Sequence, residues 1–145
     1  VIVLDTNVLS EAVRPTPAPQ VIEWIDAQHV ETLYVSVLTV AELRLGLAVL
    51  PDGARRSMLT QRLEDEVFPL FEGRVLPVDG AVALEFARLQ AAARSGGMTM
   101  PVIDALIAAT CSAHRFTLAT RNVADFAASG VPLIDPWRAP GASGV

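Results

Sequence analysis

Short aliphatic runs alternate with helical segments along the chain, and this alternation constrains the fold more than any other feature. Residues 1–4, 33–37, 75–78, 116–120 and 131–134 read as strands, brief and rich in β-branched or aliphatic side chains. Between them the spacing predicts helices over 8–13, 21–29, 38–50, 54–67, 81–94 and 101–114, and a helical turn over 123–128. Within 38–50, Leu38, Ala41, Leu45, Ala48 and Val49 follow the helical spacing and predict its apolar side. Pro51-Asp52-Gly53 and Ser95-Gly96-Gly97 mark helix ends, and Pro101 opens a helix. Strands joined by helical crossovers form parallel sheets covered on both faces. The expected fold is α/β, a three-layer sandwich with a mostly parallel central sheet. Its 145 residues suit one domain, expected over 1–137, with a flexible Pro/Gly/Ser-containing tail over 138–145.

Composition removes whole classes of chemistry. Hydrophobic residues make up 52% and charged residues 19%, which excludes disorder as a description of the chain. All eleven basic residues are arginine, so no lysine is present for a Walker-type phosphate loop or a Schiff base. The net charge of −5 argues against a broad electrostatic grip on nucleic acid. A single cysteine, Cys111, excludes an internal disulfide and a Cys-rich zinc site. No apolar stretch reaches the roughly 20 residues of a spanning helix, and no basic-apolar leader is visible, so a cytoplasmic location is expected.

In open α/β sheets, sites form where strands end and the next helices begin. Three acids fall at such places: Asp5 after the first strand, Glu42 early in the helix after the second, and Asp104 early in the helix opened by Pro101. Thr6 and Asn7 flank the first. Thr120, Asn122 and Asp125 follow the fourth strand. Singly, each acid has another explanation: Asp5 as a helix cap, Glu42 and Asp104 as first-turn acids, Asp125 as a solvated loop acid. Yet Glu42 and Asp104 stand among apolar neighbours, where a buried carboxylate needs a partner. Two carboxylates ~4 Å apart repel by about 4 kcal/mol at an effective dielectric near 20. A divalent cation is the natural partner, and oxygen-only ligands suit Mg²⁺ or Mn²⁺. Such an acidic cup suits phosphodiester cleavage.

The segments LDTNVLSE from Leu4, TVAELRLG from Thr39, IDALIAAT from Ile103 and TRNVADF from Thr120 together resemble the PIN-domain ribonucleases. More narrowly they are similar to the VapC toxins and their FitB-like branch. The resemblance covers about residues 1–137, in the family's order. It implies a PIN-like fold and a Mg²⁺-dependent endoribonuclease, with Mn²⁺ able to substitute. It also implies a cognate VapB-like antitoxin and a homodimer. Asp5, Glu42 and Asp104 match the family's three central acids. The fourth position falls to Asp125, with Asn122 as an alternative or helper, and Thr6 and Thr120 match supporting hydroxyls. Arg44 and Arg121 adjoin acidic motifs and are candidates for phosphate contacts, or for ion pairs that orient a carboxylate.

Two other folds with an aspartate after a hydrophobic strand fit less well. A haloacid-dehalogenase-type phosphatase needs a second Asp where this chain has Asn7, and a receiver domain needs a lysine. A PIN-like binding or regulatory module without nuclease activity is an alternative, as is a DNA nuclease of related fold, although such chains usually carry longer insertions for gripping duplex DNA.

Overall fold

The structure, a computed structural model, describes residues 1–138. Of the expected tail, only Arg138 falls within them, in a turn where its N–H donates to the Asp135 carbonyl at 3.0 Å. The strands are β1 (Ile2–Leu4), β2 (Leu33–Ser36), β3 (Val75–Leu76), β4 (Thr117–Ala119) and β5 (Leu133–Ile134). They form one sheet in the order β3-β2-β1-β4-β5, with every neighbouring pair parallel. In the register, Val3 lies opposite Tyr34 and Leu118, and Leu4 opposite Val35 and Ala119.

That register sorts side chains by face, because successive residues of a strand point to opposite sides. Leu4, Val35 and Ala119 enter one core with Val8, Leu9, Val21, Leu63 and Phe71. Val3 and Leu118 enter the other with Ile107, Ala108, Cys111 and Phe126. The first core lies under α1 (Thr6–Glu11), α2 (Pro19–Asp26), α3 (Val37–Ala48) and the segment after α4 (Ala54–Arg62). The second lies under α5 (Gly80–Ser95), α6 (Val102–His114) and α7 (Val123–Phe126). No described helix is long and apolar enough to cross a membrane.

Local chemistry sets the boundaries. Ser36 ends β2 one residue early because its hydroxyl accepts the Leu38 N–H at 3.0 Å and caps α3. Pro77 follows β3 and has no N–H for a ladder, so that strand stops at Leu76 rather than 78. The helix expected over 54–67 gives way at Leu63 to a wider π turn, then to a 3₁₀ turn over Phe68–Phe71. Pro69 cannot donate to the carbonyl four residues back, so an α-helix cannot run through it. The wider turn leaves Leu63, Val67 and Phe71 all buried. Gly97, at φ 75°, ends α5, with the Met98 N–H returning to the Ala93 carbonyl at 2.8 Å.

The apolar side expected for α3 is corrected by the packing. Its buried residues are Thr39 and Leu43, while Leu45 is 63% and Val49 72% exposed. The helix is apolar on several sides, so spacing alone does not identify the side that meets the sheet.

Cys111 provides a test of the second core. Burial, then the charge of Asp5, pushes its thiol up to about 12. The expected outcome is a thiol inert to a disulfide reagent at about pH 8 in the folded protein, and fully labelled once denaturant unfolds it. Labelling of the native protein at the rate of a free thiol overturns this packing.

Candidate active site

With the strands parallel, their carboxyl ends share one edge of the sheet. The chain passes from β1 to β2 on one side, whereas β4 lies on the other, so the switch in winding falls between β1 and β4. Asp5 stands at that point and is 5% exposed. Its Oδ1 accepts the Thr6 N–H at 2.8 Å, which caps α1. Its Oδ2 accepts the Thr120 hydroxyl at 2.7 Å. Capping and site support are therefore one arrangement, since each carboxylate oxygen serves a different element.

Two more hydroxyls extend it. Thr6 donates to Glu42 Oε1 at 2.5 Å, and its oxygen lies 3.3 Å from the buried Thr39 hydroxyl. With the Thr6 proton committed to a carboxylate, which can only accept, Thr39 is left to donate to Thr6. Thr120 Oγ1 accepts the Asn122 N–H at 3.0 Å, and Asn7 Oδ1 accepts the Arg121 N–H at 3.3 Å. The loops after β1 and β4 are thereby tied together.

Burial raises the Asp5 carboxyl above its ordinary 3.8; the bonds from Thr120 and Thr6 oppose the rise, and the charges of Asp104 and Glu42 add to it. Burial likewise raises Asp104, and the charges of Asp125 and Glu42 push it further. The four carboxylates thus act on one another, and among the described residues no arginine forms an ion pair with any of them. Within the same residues, no three acidic, histidine or cysteine side chains converge closely enough to ligate one ion directly. A cation shared here fits as Mg²⁺ is ordinarily held, by one or two carboxylates with water completing its shell.

Several expectations change. Asp104 is half-buried, as its apolar neighbours suggest, but Glu42 is exposed. Thr39 and Leu43 occupy the inward side of α3, which leaves Glu42 at the rim, reached by Thr6. Arg44 does not face the acids: its guanidinium holds Glu64 at 2.8 and 3.1 Å and lies 5.1 Å from the Phe68 ring centroid. The bond from Arg44 holds the Glu64 carboxyl below its ordinary value, and it engages the arginine fully. Asp125 adds its charge to Asp104, whereas Asn122 contributes backbone bonds at the start of α7. Thr39 escapes the sequence reading, although its position three residues before Glu42 puts the two near one side of a helix. Trp137, Asp135 and Arg138 also escape it, since nothing local ties them to the acids.

Residues 2–128 match the PIN domain family. The chain is 50% identical over 136 residues to the VapC ribonuclease Y4jK of Sinorhizobium fredii, covering 94% of this chain and 97% of that one. It is 44% identical to the toxin FitB of Neisseria gonorrhoeae over 136 residues, covering 94% and 98%. The crystal structure of FitAcB from that organism superposes with a TM-score of 0.90 at 44% identity, covering 94% and 99%. VapBC-5 from Mycobacterium tuberculosis, of the VapBC family of toxin–antitoxin systems, gives a TM-score of 0.65 at 27% identity, covering 91% and 95%.

The raised carboxyls have a consequence for stability. The folded state holds protons on Asp5 and Asp104 more tightly than the unfolded chain does. Their contribution is full below the ordinary value of 3.8 and is lost as pH rises through the folded values. In protein stripped of divalent ions, Asp104→Asn removes one titrating group. Its Tm relative to the parent is expected to climb between about pH 4 and about pH 7.5. Thermal melts by circular dichroism measure this, and a difference independent of pH counts against the repulsion.

Proposed function

The chain belongs to the PIN domain family, and from that membership we propose that it is the toxin of a toxin–antitoxin pair, an endoribonuclease that cuts RNA phosphodiester bonds with a divalent metal ion. One observation carries this reading. Carboxylates from four separate segments act on one another at the carboxyl edge of the sheet, and among the described residues no arginine is paired to them. A binding module has no use for a cluster that costs stability in this way.

Asp5 and Asp104, with Glu42 and Asp125 at the rim, are the residues that would hold Mg²⁺, and Mn²⁺ would substitute because the donors are all carboxylate oxygens. The bound ion supplies charge neutralisation at the phosphate and a more acidic water. The chain's own groups supply orientation. Thr120 and the Thr6 N–H fix both oxygens of Asp5, and Thr6 fixes one oxygen of Glu42. The Asp104 carboxyl, raised by burial and by the charges of Asp125 and Glu42, is suited to take up the attacking water's proton. In the reaction the water oxygen bonds to phosphorus as the bond to the departing ribose oxygen breaks, and that oxygen takes up a proton from solvent.

Two surfaces support the partners. An apolar groove of about 310 Å³ is lined by Val13, Leu43, Leu47, Leu59 and Leu63, with Thr6 and Glu42 also on its wall. It suits an apolar antitoxin segment that reaches the acids. Leu45 on α3 and Val49 just after it, and Leu84 and Val102 on the other side of the sheet, are exposed apolar surface suited to a homodimer. Within the 54–67 segment Leu59 and Leu63 turn inward, while Met58 adds to the exposed apolar surface.

Asp5→Asn and Asp104→Asn are expected to cut RNA roughly 10²–10⁴-fold more slowly with the fold intact, and Glu42→Gln to follow them. The larger loss between Asp125→Asn and Asn122→Ala identifies the fourth position. Single-turnover cleavage checks the set, and if both Asn variants cut at the parent rate the active site is wrong. Mg²⁺ at a hundredfold excess over its Kd is expected to stabilise the parent by about 2.7 kcal/mol, and Asp104→Asn by less. Melts with and without the ion at matched ionic strength decide it.

A further inference from the structure

Beyond Asp125 the site continues into a cleft of about 600 Å³ that none of the roles above uses. Arg121, Asn122, Asp125, Leu133, Asp135 and Arg138 line it. We propose that this cleft is the subsite for one unpaired nucleotide of the RNA, next to the bond that is cut. The proposal rests on the ribonuclease reading, because its ligand is that enzyme's substrate.

Position is the first argument. Asp125 belongs both to the cleft and to the interacting acids, so whatever fills the cleft adjoins the reacting phosphate. Its volume lies within the roughly 300–1,000 Å³ of small-ligand sites, which suits a single nucleotide.

Chemistry is the second. The Arg121 guanidinium lies 5.0 Å from the Trp137 ring centroid and forms no ion pair among the described residues. Its backbone N–H is anchored by Asn7, so the segment that carries it is fixed relative to Asp5. A planar cation laid against an aromatic ring is partly immobilised before any ligand arrives. Unpaired bases stack on such guanidinium planes, which paired bases in a duplex cannot reach. Arg138 supplies a second cation. Its Nε stands 3.8 Å from Asp135 Oδ2 and its side chain is 90% exposed, a loose pairing that a phosphate can displace. The Asn122 amide and the Asp135 carboxylate offer donor and acceptor groups to a base edge. A chain of net charge −5 needs such local cations to hold RNA at all.

The test uses a short fluorescein-labelled 2′-O-methyl RNA, which cannot be cut, bound to the full chain in EDTA and followed by anisotropy over a range of salt. Cleavage of natural RNA with Mg²⁺ is measured beside it. Arg121→Ala is expected to weaken binding about tenfold and to lower the salt slope by about one. Arg121→Lys is expected to recover the slope but not the affinity, because an ammonium cannot stack. Arg138→Ala lowers the slope as well. In cleavage, Arg121→Ala raises KM with kcat within about twofold, and its preference for the nucleotide beside the cut flattens. Parent-like binding, slope and cut-site preference in both alanine variants overturn the subsite while leaving the ribonuclease reading intact. A parent that binds the RNA through Arg121 but never cuts overturns the ribonuclease reading and keeps the cleft as an RNA site.

Discussion

Burying the Asp5 carboxylate at the end of the central strand costs several kcal/mol of lost solvation, and the surrounding fold is arranged to offset it. The Thr6 N–H and the Thr120 hydroxyl do so from two directions. Neither works unless β1 and β4 are in register, since Thr120 reaches Asp5 only because Leu4 pairs with Ala119. The backbone bond from the Asp5 N–H to the Ala119 carbonyl at 2.9 Å fixes the same register. A one-residue slip would exchange the two cores and remove the hydroxyl together. Hydrophobic burial on both faces therefore secures the placement of a charge that burial alone would expel.

Glu11 shows the other solution to the same problem. It is 3% exposed, yet it holds Arg14 at 3.1 Å and the Ala18 N–H at 2.7 Å. Arg56 pairs with Asp52, Arg88 with Glu85 and Arg44 with Glu64 in more exposed positions. Arginines are thus spent on carboxylates elsewhere, while at the carboxyl edge Asp5 receives a hydroxyl and a backbone N–H, and Glu42 a hydroxyl. Hydroxyls orient a carboxylate without neutralising it. The charge remains to act on whatever enters from solvent.

The parts legible in the sequence are those governed by neighbours along the chain. The run VIVL ending in Asp5-Thr6-Asn7 specifies a strand, a cap and an edge position within a few residues. The Gly96-Gly97 break and Pro101 place Asp104 at the first turn of α6 for similarly local reasons. What depends on contacts between distant residues is less visible. The exposure of Glu42 follows from which side of α3 meets the sheet, and the pairing of Arg44 with Glu64 spans twenty positions. The stacking of Arg121 on Trp137 needs β5 and its following turn to return beside β4. Pro69 and Pro77 also carry a local signal, because the missing N–H forbids a continuing helix or ladder, but it is a single residue against a longer apolar pattern.

The helix α3 shows why periodicity fails where function concentrates. An amphipathic helix devotes one stripe to the core and the rest to water. Here Thr39 and Leu43 face inward, Glu42 meets Thr6 at the rim of the acids, and Arg44 crosses Phe68 to reach Glu64. Leu45 and Val49 remain on the outside as apolar surface. Four different environments divide one turn of helix after another, so apolar residues occur all round and no single stripe dominates. Such a pattern is ordinarily the mark of a buried helix. On a helix with half its surface in solvent, it marks a surface that meets more than the protein's own core.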